Sequence, residues 1–146
     1  MIYILKEDDL DYIKQVANIE RLCFSEPWSE KALTDEIKKS SSFLLVYLEK
    51  DSILGYVGLQ TVLDEGYITN IAVLPTQRGK GIAMALLSRL IELGIEKALT
   101  FISLEVRESN SNAISLYKKF NFNKVGLRKN FYSKPSEDGI IMTMYY

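Results

Sequence analysis

Hydrophobic and polar positions alternate in two periods along this chain, and the switches between them mark out its elements. Residues 2–5 (Ile-Tyr-Ile-Leu) read as a short strand, stopped by the polar run Lys6 to Asp9. From Leu10 to Phe24, Ile13, Val16, Ala17 and Leu22 recur at helical spacing, and Pro27 ends that helix. Ser29 is the expected N-cap of a helix from Glu30 to Lys39, whose two final lysines suit a negative C-terminus. Strands are expected over 43–49, 53–63 and 66–74, with turns at Asp51-Ser52 and Asp64-Glu65, as an antiparallel meander. The run Gly81–Lys97 places Ala83, Leu86, Leu87, Leu90, Ile91 and Gly94 on one helical face. A strand over 100–106, a helix over 112–120 and strands over 122–128 and 139–145 complete the chain.

The expected order is therefore β-α-α-β-β-β-α-β-α-β-β, an α/β sheet with helices on its faces. No repeat, low-complexity tract or linker interrupts residues 1–146, so one domain is expected.

Composition narrows the chemistry chiefly through what is missing. The chain of 146 residues contains no histidine, which removes Ser-His-Asp and Cys-His catalysis. One cysteine, Cys23, builds neither a disulfide nor a cysteine-rich zinc site, and no metal is expected. It reads as a buried thiol, not an acyl carrier. A net charge of −1 gives no reason to expect nucleic acid or membrane as a partner. No apolar run approaches the ~20 residues of a membrane span. No signal peptide is visible behind Met1, so a cytoplasmic protein is expected.

The most informative stretch is Ile71-Ala72-Val73-Leu74-Pro75-Thr76-Gln77-Arg78-Gly79-Lys80-Gly81-Ile82-Ala83. A strand ends, two glycines follow, and a long amphipathic helix begins. Small residues let backbone N–H groups approach a ligand, and the helix N-terminus adds partial positive charge. Arg78 and Lys80 add cations, so the segment suits a pyrophosphate. It is neither a P-loop, since Ile82 follows Gly81, nor the Gly-x-Gly-x-x-Gly dinucleotide pattern, since position 84 is Met.

A second constellation lies in Leu104-Glu105-Val106-Arg107-Glu108-Ser109-Asn110-Ser111-Asn112-Ala113, continuing to Leu116-Tyr117 and Phe120-Asn121-Phe122. Ile102, Leu104 and Val106 share one strand face and leave Glu105 on the other. Taken alone, Glu105 also reads as a solvated strand residue and Tyr117 as a core aromatic. Asn110 and Asn112 equally read as a turn residue and a helix cap.

These two segments resemble the GNAT family of N-acetyltransferases. Arg78, Gly81 and Ala83 stand at the defining places of its acyl-CoA motif, Gln/Arg-x-x-Gly-x-Gly/Ala. The second constellation, together with Pro27-Trp28-Ser29 and Glu137-Asp138-Gly139-Ile140-Ile141-Met142, is similar to the RimI subgroup, the ribosomal-protein-alanine N-acetyltransferases. Asn121 departs from the family's usual glycine, but Asn tolerates positive φ better than most residues. The resemblance implies a GNAT fold, a mixed sheet of about seven strands flanked by about four helices. It implies acetyl-CoA as co-substrate, with Ile71, Ala72 and Val73 pairing with pantetheine and supplying an oxyanion donor. Gln77, Arg78, Gly79, Lys80, Gly81, Ile82 and Ala83 would hold the pyrophosphate, and Asn110 would contact the CoA moiety. Glu105 would be the general base and Tyr117 the general acid. Trp28 and Tyr132, beside Phe131, would line the acceptor pocket.

The implied reaction acetylates a protein N-terminus, most specifically the N-terminal alanine of a small-subunit ribosomal protein. An acetyltransferase for a small amine and a non-catalytic acyl-CoA sensor are the competing readings of the same motifs.

Overall fold

The computed structural model describes residues 1–146. Their order is β1 (Ile2–Ile4), α1 (Leu10–Cys23), α2 (Glu30–Ile37), β2 (Ser42–Glu49), β3 (Ser52–Val62), β4 (Glu65–Val73), α3 (Ile82–Glu96), β5 (Phe101–Arg107), α4 (Ser111–Lys119), β6 (Asn123–Ser133) and β7 (Ser136–Tyr145). A 3-10 turn at Pro75–Gln77 leads into α3. The seven strands make one sheet in the order β1-β2-β3-β4-β5-β7-β6. All neighbours are antiparallel except β4 and β5, whose parallel pairing requires the α3 crossover between them. This is the helix-flanked α/β sheet that the element order implies, and the mixed, seven-stranded sheet with four helices that the resemblance implies.

Both faces of the sheet are covered, which explains the nearly unbroken apolar run of β2. Leu45 turns toward α3 and α4, where Leu86, Leu87 and Leu90 pack on Val57, Ile102, Leu104 and Phe122. Leu44 and Val46 turn the other way, onto Ile13, Val16, Ala17 and Leu33 of α1 and α2. On α3 the expected Leu86, Leu87, Leu90 and Gly94 are buried, joined by Ile82 and Leu93, while Ala83 and Ile91 are half-buried. Ser29 caps α2, accepting from the Ala32 N–H at 3.1 Å. No helix is long and apolar enough to cross a membrane.

The largest departure from the sequence pattern is the β6–β7 hairpin. Expected as strands over 122–128 and 139–145, it instead pairs continuously until Ser133 meets Ser136. β6 is an edge strand exposed along most of its length, so it carries polar residues on both faces and lacks the alternation that marks a half-buried strand. Pairing with β7, not local pattern, makes it a strand.

The feature that shapes the functional region is the divergence of β4 from β5. They pair only where Glu65, Gly66 and Tyr67 meet Phe101, Ile102 and Ser103. Leu59 then pairs with Ile68 and Val57 with Ile71, so Thr69 and Asn70 together oppose the single residue Gly58. Such a bulge bends the strand that carries it. Gly58 makes this one possible, because a Cβ there would stand 2.3 Å from Thr69 Oγ1. Beyond the bulge β4 stays with β3 while β5 follows β7 to Arg107, and a wedge opens between them.

Candidate active site

The wedge is a cleft of ≈ 970 Å³ whose walls include Trp28, Glu105, Asn110, Tyr117 and Tyr132, and whose floor includes the bulge residues Thr69 and Asn70. From Ile68 onward the edge of β4 that faces β5 has no strand partner. Apart from the Val73 carbonyl, which accepts from Arg78, its outward backbone groups are therefore free to bond an extended amide ligand, as an exposed sheet edge does.

Strand alternation aims Glu105 into this space. Ile102, Leu104 and Val106 are buried against α3 and α4, and Glu105 lies between them on the opposite face with 26% of its side chain exposed. Its Oε1 lies 3.3 Å from Arg128 Nη2, an ion pair with a cation that is itself 56% exposed.

Tyr117 approaches from α4, and both ends of that helix determine where its hydroxyl sits. Asn110 Oδ1 accepts from the Ala113 N–H at 3.2 Å, so Asn110 is the N-cap and Asn112 lies inside the helix. At the C-terminus Asn121 takes φ 68°, with its N–H donating to Lys118 O and that of Phe122 to Tyr117 O, both at 3.1 Å. This is a Schellman ending, and Asn121 performs in it the turn that glycine makes most easily. Tyr117 is 4% exposed, and burial, with Tyr132 second, pushes its phenol well above the ordinary tyrosine range. Its hydroxyl has no hydrogen-bond partner within the chain, yet no buried polar atom is left unsatisfied, so the hydroxyl must reach the cleft.

The loop before α3 has the form of an anion cradle. Gly79 and Gly81 take φ 78° and 80°, and a Cβ on either would meet nothing within 4 Å, so conformation demands glycine there. Gly81 stands at the N-cap and has no side chain to satisfy the first turn. The backbone N–H groups of Ile82, Ala83 and Met84 consequently point outward without intrahelical partners. Lys80 Nζ donates to Gln77 Oε1 at 3.0 Å. Arg78 does not extend over the helix end. Its Nε donates to Val73 O at 3.2 Å and its Nη2 to Cys23 Sγ at 3.4 Å. Arg78 thus engages the Val73 carbonyl, leaving Ile71 as the member of the Ile71–Val73 strand that lines the cleft, while Ala72 packs beneath against α1. Cys23, expected in the core, is half-buried instead and touches this loop from the end of α1.

On the opposite rim, Phe131 and Tyr132 pack edge to face with centroids 5.0 Å apart. Arg107 holds the hairpin that carries them. Its guanidinium lies 4.4 Å from the Tyr132 ring centroid and donates to Pro135 O at 2.9 Å and Lys134 O at 3.2 Å. Glu137 accepts from the Ser109 N–H at 2.6 Å and pairs with Arg107 at 3.2 Å; hydrogen bonding at Ser109 first, and Arg107 after it, holds its carboxyl below the usual range. Ser25 Oγ donates to Lys134 O at 2.9 Å, which joins this hairpin to the α1–α2 connection across the cleft. Trp28 and Tyr132, far apart in sequence, so line one cavity.

Sequence reasoning missed Glu20, Tyr56 and Asn70. Glu20 is fully buried; its Oε1 accepts from the Trp28 N–H at 2.8 Å and its Oε2 from Asn70 Nδ2 at 3.1 Å and from the Tyr56 hydroxyl. Burial, then the Glu20 carboxylate, drives the Tyr56 phenol far above its ordinary value. A signal was present. Glu20 continues the spacing of Ile13, Val16 and Ala17, so it falls on the apolar stripe of α1, where a carboxylate needs partners.

Similarity to known proteins agrees with this geometry. A ribosomal protein bS18-alanine N-acetyltransferase of Haemophilus influenzae is 41% identical over 136 residues, covering 90% of this chain and 91% of that protein. The crystal structure of the ribosomal-protein-S18-alanine N-acetyltransferase from Escherichia coli superposes with a TM-score of 0.88 at 31% identity, covering 99% of this chain and 94% of that one. The structure of Ard1 from Thermoplasma volcanium gives a TM-score of 0.87 at 25% identity, covering 99% and 97%. The sequence profile of the acetyltransferase (GNAT) family matches residues 13–122, and the chain belongs to that family.

Proposed function

We propose that this protein transfers acetyl from acetyl-CoA to a protein N-terminus, and that its acceptor is the N-terminal alanine of the small-subunit ribosomal protein bS18. The observation that carries the reading is the pairing of an ionisable carboxylate, Glu105, with an unbonded phenol, Tyr117, in the walls of one cleft. The relatives acting on bS18 alanine align over nine-tenths of the chain and supply the acceptor.

The cradle before α3 suits the diphosphate of CoA: glycines in the left-handed region, unpaired N–H groups and Lys80 beside them. The free edge of β4 suits the amides of pantetheine, with Ile71 nearest the cleft. Ile71 and Val73 present backbone to that edge, where Arg78 already holds the Val73 carbonyl, whereas the Ala72 backbone pairs with Tyr56 of β3; a donor for the thioester oxygen falls to the Ile71 or Val73 N–H. Asn110 serves first as the cap that orients α4 and, from the cleft wall, as a contact for CoA.

In the transfer, a C–N bond forms at the acyl carbon, the C–S bond breaks and the amine gives up a proton. The acceptor must be neutral to react. An α-amine near ~8 loses its proton more readily than a lysine ε-amine near ~10.4, an advantage of roughly 3 kcal/mol at neutral pH. Glu105 accepts the amine proton, directly or through one water. Tyr117 faces the departing sulfur. Even an ordinary phenol near ~10 protonates a thiolate near ~8.5 at a cost of about 2 kcal/mol, and burial makes Tyr117 a weaker acid still. Its contribution is therefore a hydrogen bond to charge developing on sulfur. Trp28 and Tyr132 flank the acceptor's first residue.

The test is CoA release from acetyl-CoA with two peptides. One carries the bS18 N-terminal sequence with a free alanine; the other has a blocked N-terminus and an internal lysine. Turnover is expected on the first alone, with Glu105→Gln lowering kcat by about 10²-fold or more. Binding of acetyl-CoA without turnover on the first peptide would refute the acceptor and direct the search to small amines.

A further inference from the structure

We propose that Glu20 is a positioning residue for the acceptor, holding the α1–α2 wall of the cleft in register with the β4 bulge. The inference rests on the functional reading above and adds a residue to it. The Glu20 carboxylate bonds three separate parts of the chain: the Trp28 backbone in the α1–α2 connection, the Tyr56 hydroxyl on β3 and the Asn70 amide on β4. Asn70 Nδ2 also donates to the Tyr56 hydroxyl at 3.2 Å, so the cluster is closed on itself. Asn70 is one of the two residues of the bulge that parts β4 from β5.

The arrangement is a costly way merely to fill a core. Burying a carboxylate takes several kcal/mol from stability unless its partners return it, and apolar side chains of equal volume often serve as well. What an apolar residue cannot do is fix a backbone N–H to a point on the sheet. Within the segment 25–28, Ser25 and Glu26 reach across to Lys134, whereas Trp28 reaches back to Glu20. The Trp28 side chain thus hangs between one tether on the edge hairpin and one on the sheet centre. Glu20 itself does no proton transfer: it is fully buried and both oxygens are occupied. The phosphate cradle lies on another part of the chain and makes no hydrogen bond to this cluster.

A split between the two substrates follows. Glu20→Met keeps the volume of the side chain and removes all its hydrogen bonds. The expected result is an acceptor KM raised about tenfold or more with kcat within about threefold of wild type, the pattern of lost binding that does not depend on the chemical step. The calorimetric Kd for acetyl-CoA should stay within about twofold. Glu20→Gln, which retains an oxygen for the Trp28 N–H and an amide that a turned Asn70 can meet, should recover the acceptor KM to within about threefold. Should Glu20→Met not fold, Asn70→Ala removes the β4 arm and leaves Trp28 and Tyr56 bonded to Glu20, and a smaller but still selective rise in acceptor KM is expected. An acceptor KM that stays unchanged, or that rises in step with the acetyl-CoA Kd, overturns the inference. Absence of wild-type turnover on the free N-terminal peptide is a different failure, one that refutes the acceptor assignment.

Discussion

The backbone N–H of Phe122 donates to the Tyr117 carbonyl across 3.1 Å, and the two rings lie 5.9 Å apart between centroids. The proposed hydrogen-bond donor to the sulfur is thereby held by the residue just before β6. Phe122 is fully buried and Tyr117 nearly so, which leaves the phenol little choice of rotamer.

Phe122→Ala should cost about 3–5 kcal/mol of stability, since it empties a large site beneath Tyr117. Tyr117→Phe removes only a hydroxyl that bonds nothing in the chain, so it should shift stability by less than about 1 kcal/mol. It should nevertheless lower kcat by about tenfold to 10²-fold. Urea unfolding and steady-state kinetics on both variants check the pair. Equal stability losses would mean that the Tyr117 hydroxyl, like the Phe122 ring, is part of the packing.

High pH should unfold the protein through its buried phenols. Tyr56 and Tyr117 have folded-state values raised by burial, against about 10 in the unfolded chain. Above that unfolded value the unfolded chain binds fewer protons than the native one, so stability falls as pH rises toward the raised folded values. Below it both states keep the proton and neither group makes stability depend on pH. Tyr146, pushed up to about 12 by burial, reinforces the same trend. Tyrosinate absorbance followed with circular dichroism should show part of the tyrosine signal appearing only as the fold is lost. Full tyrosine ionisation in a still-folded protein would contradict the burial argument.

Gly81→Ala isolates the cradle. A Cβ there meets nothing, so the penalty is that of a non-glycine residue in the left-handed region, about 1–2 kcal/mol. The variant can escape that strain only by turning the N–H groups of the first α3 turn. Calorimetry should therefore find weaker acetyl-CoA binding, while the acceptor KM measured at saturating acetyl-CoA changes little. Unaltered acetyl-CoA affinity would place the diphosphate elsewhere.

What was legible in the sequence were the features set by short-range chemistry. Periodicity located all four helices and, apart from the far half of β6, the strands to within about three residues, because burial on one face imposes spacing on the chain. The glycines of the α3 loop announced positive φ, and Asn121 was readable as a substitute for glycine for the same reason. The alternation that sets Glu105 opposite Ile102, Leu104 and Val106 was equally local.

Tertiary structure alone decided how distant segments meet. Residues 129–133 became strand because β7 offered hydrogen bonds, not because of their own pattern. The wedge exists because two residues of β4 face one glycine of β3, a register that no local period encodes. Arg78 turned from the helix end to Val73 and Cys23, and Asn110 rather than Asn112 took the cap. Glu20 stood on the apolar stripe of α1 as an unexplained charge until the fold brought Trp28, Tyr56 and Asn70 to its oxygens. A side chain's class and spacing state what it requires, whereas its partner is chosen by which strands pair, and that choice is made over the whole sheet.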